Sequence, residues 1–169
     1  MEFDEKLIQW QPFFTTVAAV SATLVGLLFV SLSLNRERIS AESNRELMRL
    51  ARRSFSDFLL VLMLALFFLI PRQGQLALSL ELLAISAFRL RWMSLQIIHA
   101  MKHEHKPGNM AAVREYVLPV LSVIGIIGAA IGIYFYGIIA VYYFVVPVIA
   151  VMLTRASWNA WLLLVLERD

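Results

Sequence analysis

The sequence contains no cysteine, and charged residues make up only 16% of its 169 residues. The missing cysteine excludes disulfide bonds, thiolate nucleophiles, iron–sulfur clusters and zinc sites with cysteine ligands. Soluble globular domains carry about 25% charged residues, so the low charge argues against an ordinary cytosolic enzyme. Hydrophobic residues, in contrast, make up 60% of the chain. This composition is typical of a polytopic membrane protein.

The sequence also lacks the short motifs that mark common active sites. It has no Walker loop, no G-x-G-x-x-G, no H-E-x-x-H and no G-x-S-x-G. Its three histidines, His99, His103 and His105, lie in one short segment, and no serine sits in a nucleophile context with a histidine partner. We therefore expect no catalytic residues, no metal site and no cofactor, and we expect the protein not to be an enzyme.

Long apolar stretches predict an all-α integral membrane bundle that forms a single transmembrane domain over residues 1–169. A helix needs about 20 mostly apolar residues to cross a bilayer. Residues 7–35 and 116–154 carry no charge, and the second of these stretches is long enough for two spans with a turn near Gly137. Two weaker candidates lie between them. The five predicted spans are about 12–34, 53–70, 75–98, 115–135 and 139–166.

The distribution of positive charge favours five spans over four. Arginines and lysines are concentrated in residues 35–54 and 89–115, and both segments lie on one side of the membrane only if residues 75–98 cross it. Because basic segments usually face the cytoplasm, we expect the N-terminus outside and the C-terminus in the cytoplasm. The positive charge then faces anionic lipid head groups, and we expect no nucleic-acid partner.

Four arginines precede the apolar part of the second predicted span: Arg45, Arg49, Arg52 and Arg53. Helical residues three or four apart share a face, so these side chains form one basic stripe. One interpretation is a set of anchors that extend to the lipid head groups, and the other is a contact surface for lipid or a protein partner. A voltage sensor is excluded because the arginines lie before the apolar stretch and not within it.

Small residues recur three or four positions apart in two predicted spans. In the first span they are Ala18, Ala22 and Gly26, with Thr15 nearby, and in the fourth span they are Gly125, Gly128 and Gly132. Small residues allow membrane helices to approach one another closely. The pattern therefore predicts packing inside one bundle, packing between subunits, or a narrow pore that the first span lines.

Charged and polar side chains within the predicted spans should find partners, because an isolated charge in lipid is costly. A rise of about 1.5 Å per residue places Asp57, Arg155, Asn159 and Arg89 in the cytoplasmic half of the membrane. We predict that Asp57 pairs with an arginine, and that Arg155 is the first candidate and Arg89 the second. Such a pair would allow the last span to include Arg155.

Glu81 lies in the outer half of the third predicted span, where Arg72 is the basic residue closest to its depth. A carboxylate without a basic partner at this position is either protonated or lines a wet cavity. Glu81 is therefore the first candidate for an ion or proton contact. The alternative is a structural acid with a hydrogen bond to a neighbouring helix.

Three parts of the chain carry a resemblance to known proteins. They are residues 21–35 (SATLVGLLFVSLSLN), residues 81–84 (ELLA), and residues 142–147 (YYFVVP) together with 159–164 (NAWLLL). These segments resemble a family of small, uncharacterised bacterial inner-membrane proteins. The resemblance implies a bacterial plasma membrane and a stand-alone helical domain without known chemistry. Similar proteins are sometimes labelled modulators of a membrane-anchored protease, which implies a protein partner.

Two functions are compatible with these patterns. The first is an integral membrane protein that associates with copies of itself, with an ion or small-solute channel as the activity. The first span would line that channel, and Glu81 would be its polar contact. The second is an accessory or regulatory subunit that docks a protease or another partner through the basic segments 36–53 and 99–114. A channel predicts symmetric oligomers, whereas an accessory subunit predicts a monomer or dimer that purifies with its partner.

Overall fold

The computed structural model describes residues 3–34, 45–102 and 117–166, and within these ranges every regular element is helical. The elements are α1 (Phe3–Ile8), α2 (Gln11–Leu34), α3 (Arg45–Phe68), α4 (Gln75–Lys102), α5 (Leu118–Tyr136), a π-helical turn (Val141–Val145) and α6 (Val146–Leu166). The predicted all-helical fold is confirmed for this part of the chain.

The helix bounds differ from the predicted spans at several ends. The α3 helix begins at Arg45, well before the span predicted at 53–70, and it ends at Phe68. The α4 helix continues to Lys102, beyond the predicted end at 98. The α5 helix is described from Leu118, and residues 115 and 116 of the predicted span lie outside the described residues. Helical hydrogen bonding therefore extends past the apolar runs from which the spans were predicted.

The chain divides into two compact units. The α2–α3 unit contains Leu7–Pro71 and Ile149–Asp169, and the α4–α5 unit contains Met1–Lys6 and Arg72–Val148. The border falls inside α6, so the beginning of this helix belongs to the α4–α5 unit and the rest belongs to the α2–α3 unit.

In the α2–α3 unit, the two long helices run antiparallel. Phe14, near the start of α2, stacks on Phe68 at the end of α3, with the ring centroids 4.2 Å apart. Near the other end of α2, Leu28 packs with Leu50 of α3 and Ala156 of α6 in one buried cluster. The α2 helix contributes a narrow stripe of buried side chains, namely Phe14, Val17, Ser21 and Leu28. The opposite side of α2 lies on the surface of the chain.

In the α4–α5 unit, glycines of α5 allow close contact with the segment that follows it. A Cβ atom added at Gly128 would lie 3.1 Å from Cδ1 of Phe144, and one added at Gly132 would lie 2.8 Å from Cβ of Ala140. The small residues of α5 therefore serve packing within the unit. This is one of the interpretations that the sequence left open for them.

The π-helical turn lies directly before Pro147. Proline has no backbone N–H and cannot donate the α-helical hydrogen bond to Tyr143. In the π-helical turn, the N–H of Val146 donates to the carbonyl of Val141, which is the wider spacing of a π-helix. The helix thus changes its hydrogen-bond spacing where proline interrupts the regular ladder.

Large apolar side chains cover much of the surface. On α4 alone, Leu76, Leu80, Leu83 and Phe88 are exposed, whereas soluble monomers rarely expose apolar patches above a few hundred Å². Among the described residues, three helical segments are long and apolar enough to cross a membrane: Gln11–Leu34, Leu118–Tyr136 and Tyr143–Leu162. These features fit a membrane protein.

We expect Gly132→Ala to destabilise the protein by about 1–3 kcal/mol, the usual cost of overpacking a well-packed interior. The added methyl group meets Ala140 Cβ, which cannot rotate away. Thermal unfolding in lipid nanodiscs measures the effect. Gly26→Ala is the matched control, because a Cβ at Gly26 has nothing within 4 Å among the described atoms. Equal stability of the two variants would contradict the close packing at Gly132.

Candidate functional site

A buried ion pair joins α3 to α6 in the α2–α3 unit. Nε of Arg155 donates to Oδ2 of Asp57 at 2.9 Å, and Nη2 of Arg155 donates to Oδ1 of the same carboxylate. Only 5% of the Arg155 side chain and 1% of the Asp57 side chain are exposed. The sequence analysis named Arg155 as the first partner of Asp57, and the structure brings these two residues together. A two-point contact of this kind fixes both the charge balance and the orientation of the guanidinium plane.

Further buried polar side chains lie close to the pair along the same helices. Ser54 precedes Asp57 by about one helical turn, and Asn159 follows Arg155 at the spacing that places both on one face. Ser21, on the buried stripe of α2, belongs to the same unit, and all three side chains are buried. Sequence reasoning missed Ser54, although its spacing from Asp57 was a usable signal.

Glu81 has a partner that the sequence analysis did not name. The amide Nε2 of Gln73 donates to Oε2 of Glu81. Gln73 is buried, and Glu81 is partly buried on the flank of α4. The signal in the sequence was the tight turn Pro71-Arg72-Gln73-Gly74, which directs the chain back over the first turns of α4. Glu81 is thus a hydrogen-bonded acid, and its role as an ion contact stays a prediction.

Gln75, the first residue of α4, connects this end of the helix to the C-terminal end of α5. Its amide Nε2 donates to the carbonyl of Tyr134 at 2.8 Å and also to the carbonyl of Ile133. The last carbonyls of a helix have no partner within the helix. The Gln75 side chain provides one for Tyr134 and a second one for Ile133, whose carbonyl also accepts from the N–H of Gly137. The contact shows that α4 and α5 run antiparallel, and it places the Gln73–Glu81 hydrogen bond at the end of the unit where α5 finishes.

The small residues of α2 lie on its exposed side and not on its packing stripe. Thr15, Ala22 and Gly26 are exposed, and Ala18 is partly buried. These residues do not form the face of α2 that packs against α3, and packing between subunits or the lining of a pore stays a prediction for them. The face that contacts α3 consists of Phe14, Val17, Ser21 and Leu28. The α2 face of Thr15, Ala18, Ala22 and Gly26 therefore lies away from the α3 contact within the unit.

The remaining predicted residues are not brought into one site. Arg89, the second candidate for Asp57, is partly buried on α4. In the basic stripe, Arg52 is exposed and Arg53 is partly buried, whereas the side chains of Arg45 and Arg49 lie outside the described residues. In the proposed partner segments 36–53 and 99–114, residues 36–44 and 103–114 lie outside the described part of the chain.

The polar contacts described above balance or bind charged side chains within each helical unit. The Asp57–Arg155 pair neutralises two charges inside a helical unit, and the Gln73–Glu81 hydrogen bond holds a carboxylate at the end of another. Within the described residues, no group of His, Asp and Glu side chains could hold a metal ion. The sequence matches no family model, and neither the curated proteins nor the solved structures give a match.

Proposed function

We propose that the protein is a five-span integral membrane protein that associates with copies of itself through α2 and provides a path for an ion or small solute. Three helical segments, in α2, α5 and α6, are apolar enough to span a membrane by composition. The other two, α3 and α4, contain charges in their apolar parts, and the structure supplies partners for Asp57 and Glu81. Partnered charges are the ones that a membrane helix tolerates best.

The observation that carries self-association is the open α2 face. A Cβ added at Gly26 meets nothing within 4 Å in the described part of the chain, and Thr15 and Ala22 on the same side are exposed. Contact between helices in lipid gains no hydrophobic free energy, so membrane helices associate where small residues allow close backbone approach. A second copy of α2 is the occupant that fits such a face.

A path through the membrane would need several copies, because one chain of this size offers few helices to enclose it. In a ring of copies, α2 would present Thr15, Ala18, Ala22 and Gly26 towards neighbouring chains or the ring centre. Glu81 would be the polar contact near the outer end. Basic residues such as exposed Arg52 would face anionic lipid head groups, and we propose a bacterial plasma membrane as the location, as the sequence resemblance implies.

We expect Gly26→Leu to weaken self-association at least tenfold, which corresponds to about 1.4 kcal/mol. The leucine side chain prevents close approach of two α2 helices, while the folded chain has room for it. Cross-linking in nanodiscs and native mass measurement report the oligomer, and ion leak from liposomes reports the path. We expect both oligomer and leak in the parent protein and a loss of both in Gly26→Leu.

Val20→Leu is the matched control, because Val20 is an exposed α2 residue on a different side of the helix from Gly26. It should leave association and leak unchanged. A parent protein that is monomeric at every lipid ratio contradicts self-association. A protein that is silent in liposomes but purifies with another membrane protein favours an accessory subunit instead.

A further inference from the structure

The α2–α3 unit contains buried polar atoms for which the described part of the chain offers no hydrogen-bond partner. They are Oγ of Ser21, Oγ of Ser54 and Nη1 of Arg155. Ser21 and Ser54 are 0% exposed and Arg155 is 6% exposed. A buried polar atom without a partner costs about 1–3 kcal/mol in mutational data, so each of these atoms requires an explanation.

The two serines differ from other hydroxyl residues of the described helices. Ser86, also buried, donates to the carbonyl of Leu82 at 2.7 Å, and Ser122 donates to the carbonyl of Leu118 at 2.9 Å. Such a bond to the preceding turn is the usual way in which a serine satisfies itself inside a helix. Ser21 and Ser54 do not use it, so their hydroxyls remain available for another contact in the interior of the unit.

The geometry of the ion pair leaves Nη1 of Arg155 buried and pointing away from the Asp57 carboxylate. Nε and Nη2 both donate to the Asp57 carboxylate. Because the guanidinium is planar and its donors point in fixed directions, Nη1 faces away from that carboxylate with two N–H groups. Ser54 lies about one helical turn from Asp57, within the distance over which side chains on one face are neighbours.

From these groups we infer that the α2–α3 unit holds an internal water site beside the Asp57–Arg155 pair. The ligand must accept hydrogen bonds from Nη1 and must also pair with serine hydroxyls, which both donate and accept. Water does both, and buried waters typically make about 3 hydrogen bonds to polar groups that have no other partner.

Other small ligands fit less well. A cation is repelled by the N–H groups of the guanidinium. An anion would accept hydrogen bonds from Nη1 of Arg155 and from a serine hydroxyl, but Arg155 already has Asp57 as its counter-ion. A bound anion would therefore leave one negative charge without compensation inside a membrane-embedded unit, where charges are costly. A neutral ligand leaves the pair balanced.

The direct test is water-edited solid-state NMR on the full chain in lipid nanodiscs, with labelled arginine side chains. The Arg155 signal is identified by its loss in Arg155→Lys. We expect magnetisation to pass from water to the Arg155 guanidinium nitrogens at a rate typical of bound water. A guanidinium that receives no water magnetisation overturns the inference. An Arg155 signal that moves when chloride is exchanged for a larger anion, without water transfer, assigns the site to an anion and also overturns it.

The unfolding temperature of a serine variant provides an independent test. If the hydroxyl of Ser54 binds water, Ser54→Ala should lower the unfolding temperature by about 2–4 °C, the shift expected for the loss of roughly one hydrogen bond in a chain of this size. If the hydroxyl is dry, its removal should leave the temperature unchanged or raise it, which removes Ser54 from the site. Ser86→Ala is the matched control, since its hydroxyl bonds only to its own helix. If the two measurements disagree, the transfer of magnetisation from water to Arg155 determines whether the site holds water.

Discussion

Replacing Asp57 with alanine is expected to reduce stability by about 3–5 kcal/mol, the cost of leaving one partner of a buried ion pair alone. Arg155 is 6% exposed and would keep its charge inside the α2–α3 unit without a counter-ion. Reversible unfolding in mixed micelles or nanodiscs measures the loss. The expected effect is large, because the truncation leaves the buried guanidinium of Arg155 without this carboxylate.

The double variant and the charge swap test the interaction itself. Asp57→Ala combined with Arg155→Ala removes both charges, so we expect it to be more stable than Asp57→Ala alone. Exchanging the two residues, with Asp57→Arg and Arg155→Asp, should recover part of the lost stability. The control is Arg52→Ala, an exposed arginine at which a change within about 0.5 kcal/mol is expected. A swap that is no more stable than the single variants would show that the pair does not stabilise the unit.

Labelling of the two ends of α4 from opposite sides of the membrane is the second large effect that we expect. The chain has no cysteine, so Gly74→Cys and Lys102→Cys each introduce a single reactive thiol, one just before α4 and one at its end. A membrane-impermeant thiol reagent should label the first from outside intact cells and the second only after the membrane is opened. The result is close to all or none, because a thiol is in one compartment or the other.

Tyr136→Cys provides an internal control for this experiment. Tyr136 is exposed at the end of α5, and the Gln75 contact places this end of α5 beside the start of α4. Gly74→Cys and Tyr136→Cys should therefore react from the same side. If Gly74→Cys and Lys102→Cys are labelled from one side, α4 does not cross the membrane, and the five-span arrangement is wrong.

Composition and periodicity were sufficient to predict the class of fold and one specific side-chain contact. The low charge and long apolar runs predicted helices, and the pairing of Asp57 with Arg155 was predicted because two opposite charges at one depth have few other ways to be accommodated in lipid. The partner of Glu81 could not be predicted in the same way. Gln73 is uncharged and lies in a turn, so no rule of charge or periodicity selected it.

The small residues also show the difference between what a sequence pattern predicts and what only the folded structure decides. Gly26 and Gly132 both belong to sets of small residues three or four positions apart, and this spacing predicts close helix contact without identifying the partner. In the folded chain, Gly132 packs against Ala140, whereas Gly26 faces outwards. A glycine has no side chain whose chemistry indicates its neighbour. Whether it packs inside the chain or faces outwards depends on which face of the helix the larger residues bury.

By itself, the sequence determined that the chain is helical, apolar enough for a membrane, and obliged to neutralise its interior charges, since these properties follow from hydrophobicity and electrostatics summed along the chain. Only the tertiary structure decided that Gln73 holds Glu81, that α2 packs through Phe14 and Leu28, and that Ser21 and Ser54 keep their hydroxyls free of their own helices. Those outcomes depend on how helices rotate about their axes when they pack. Side-chain shapes on several helices set that rotation together.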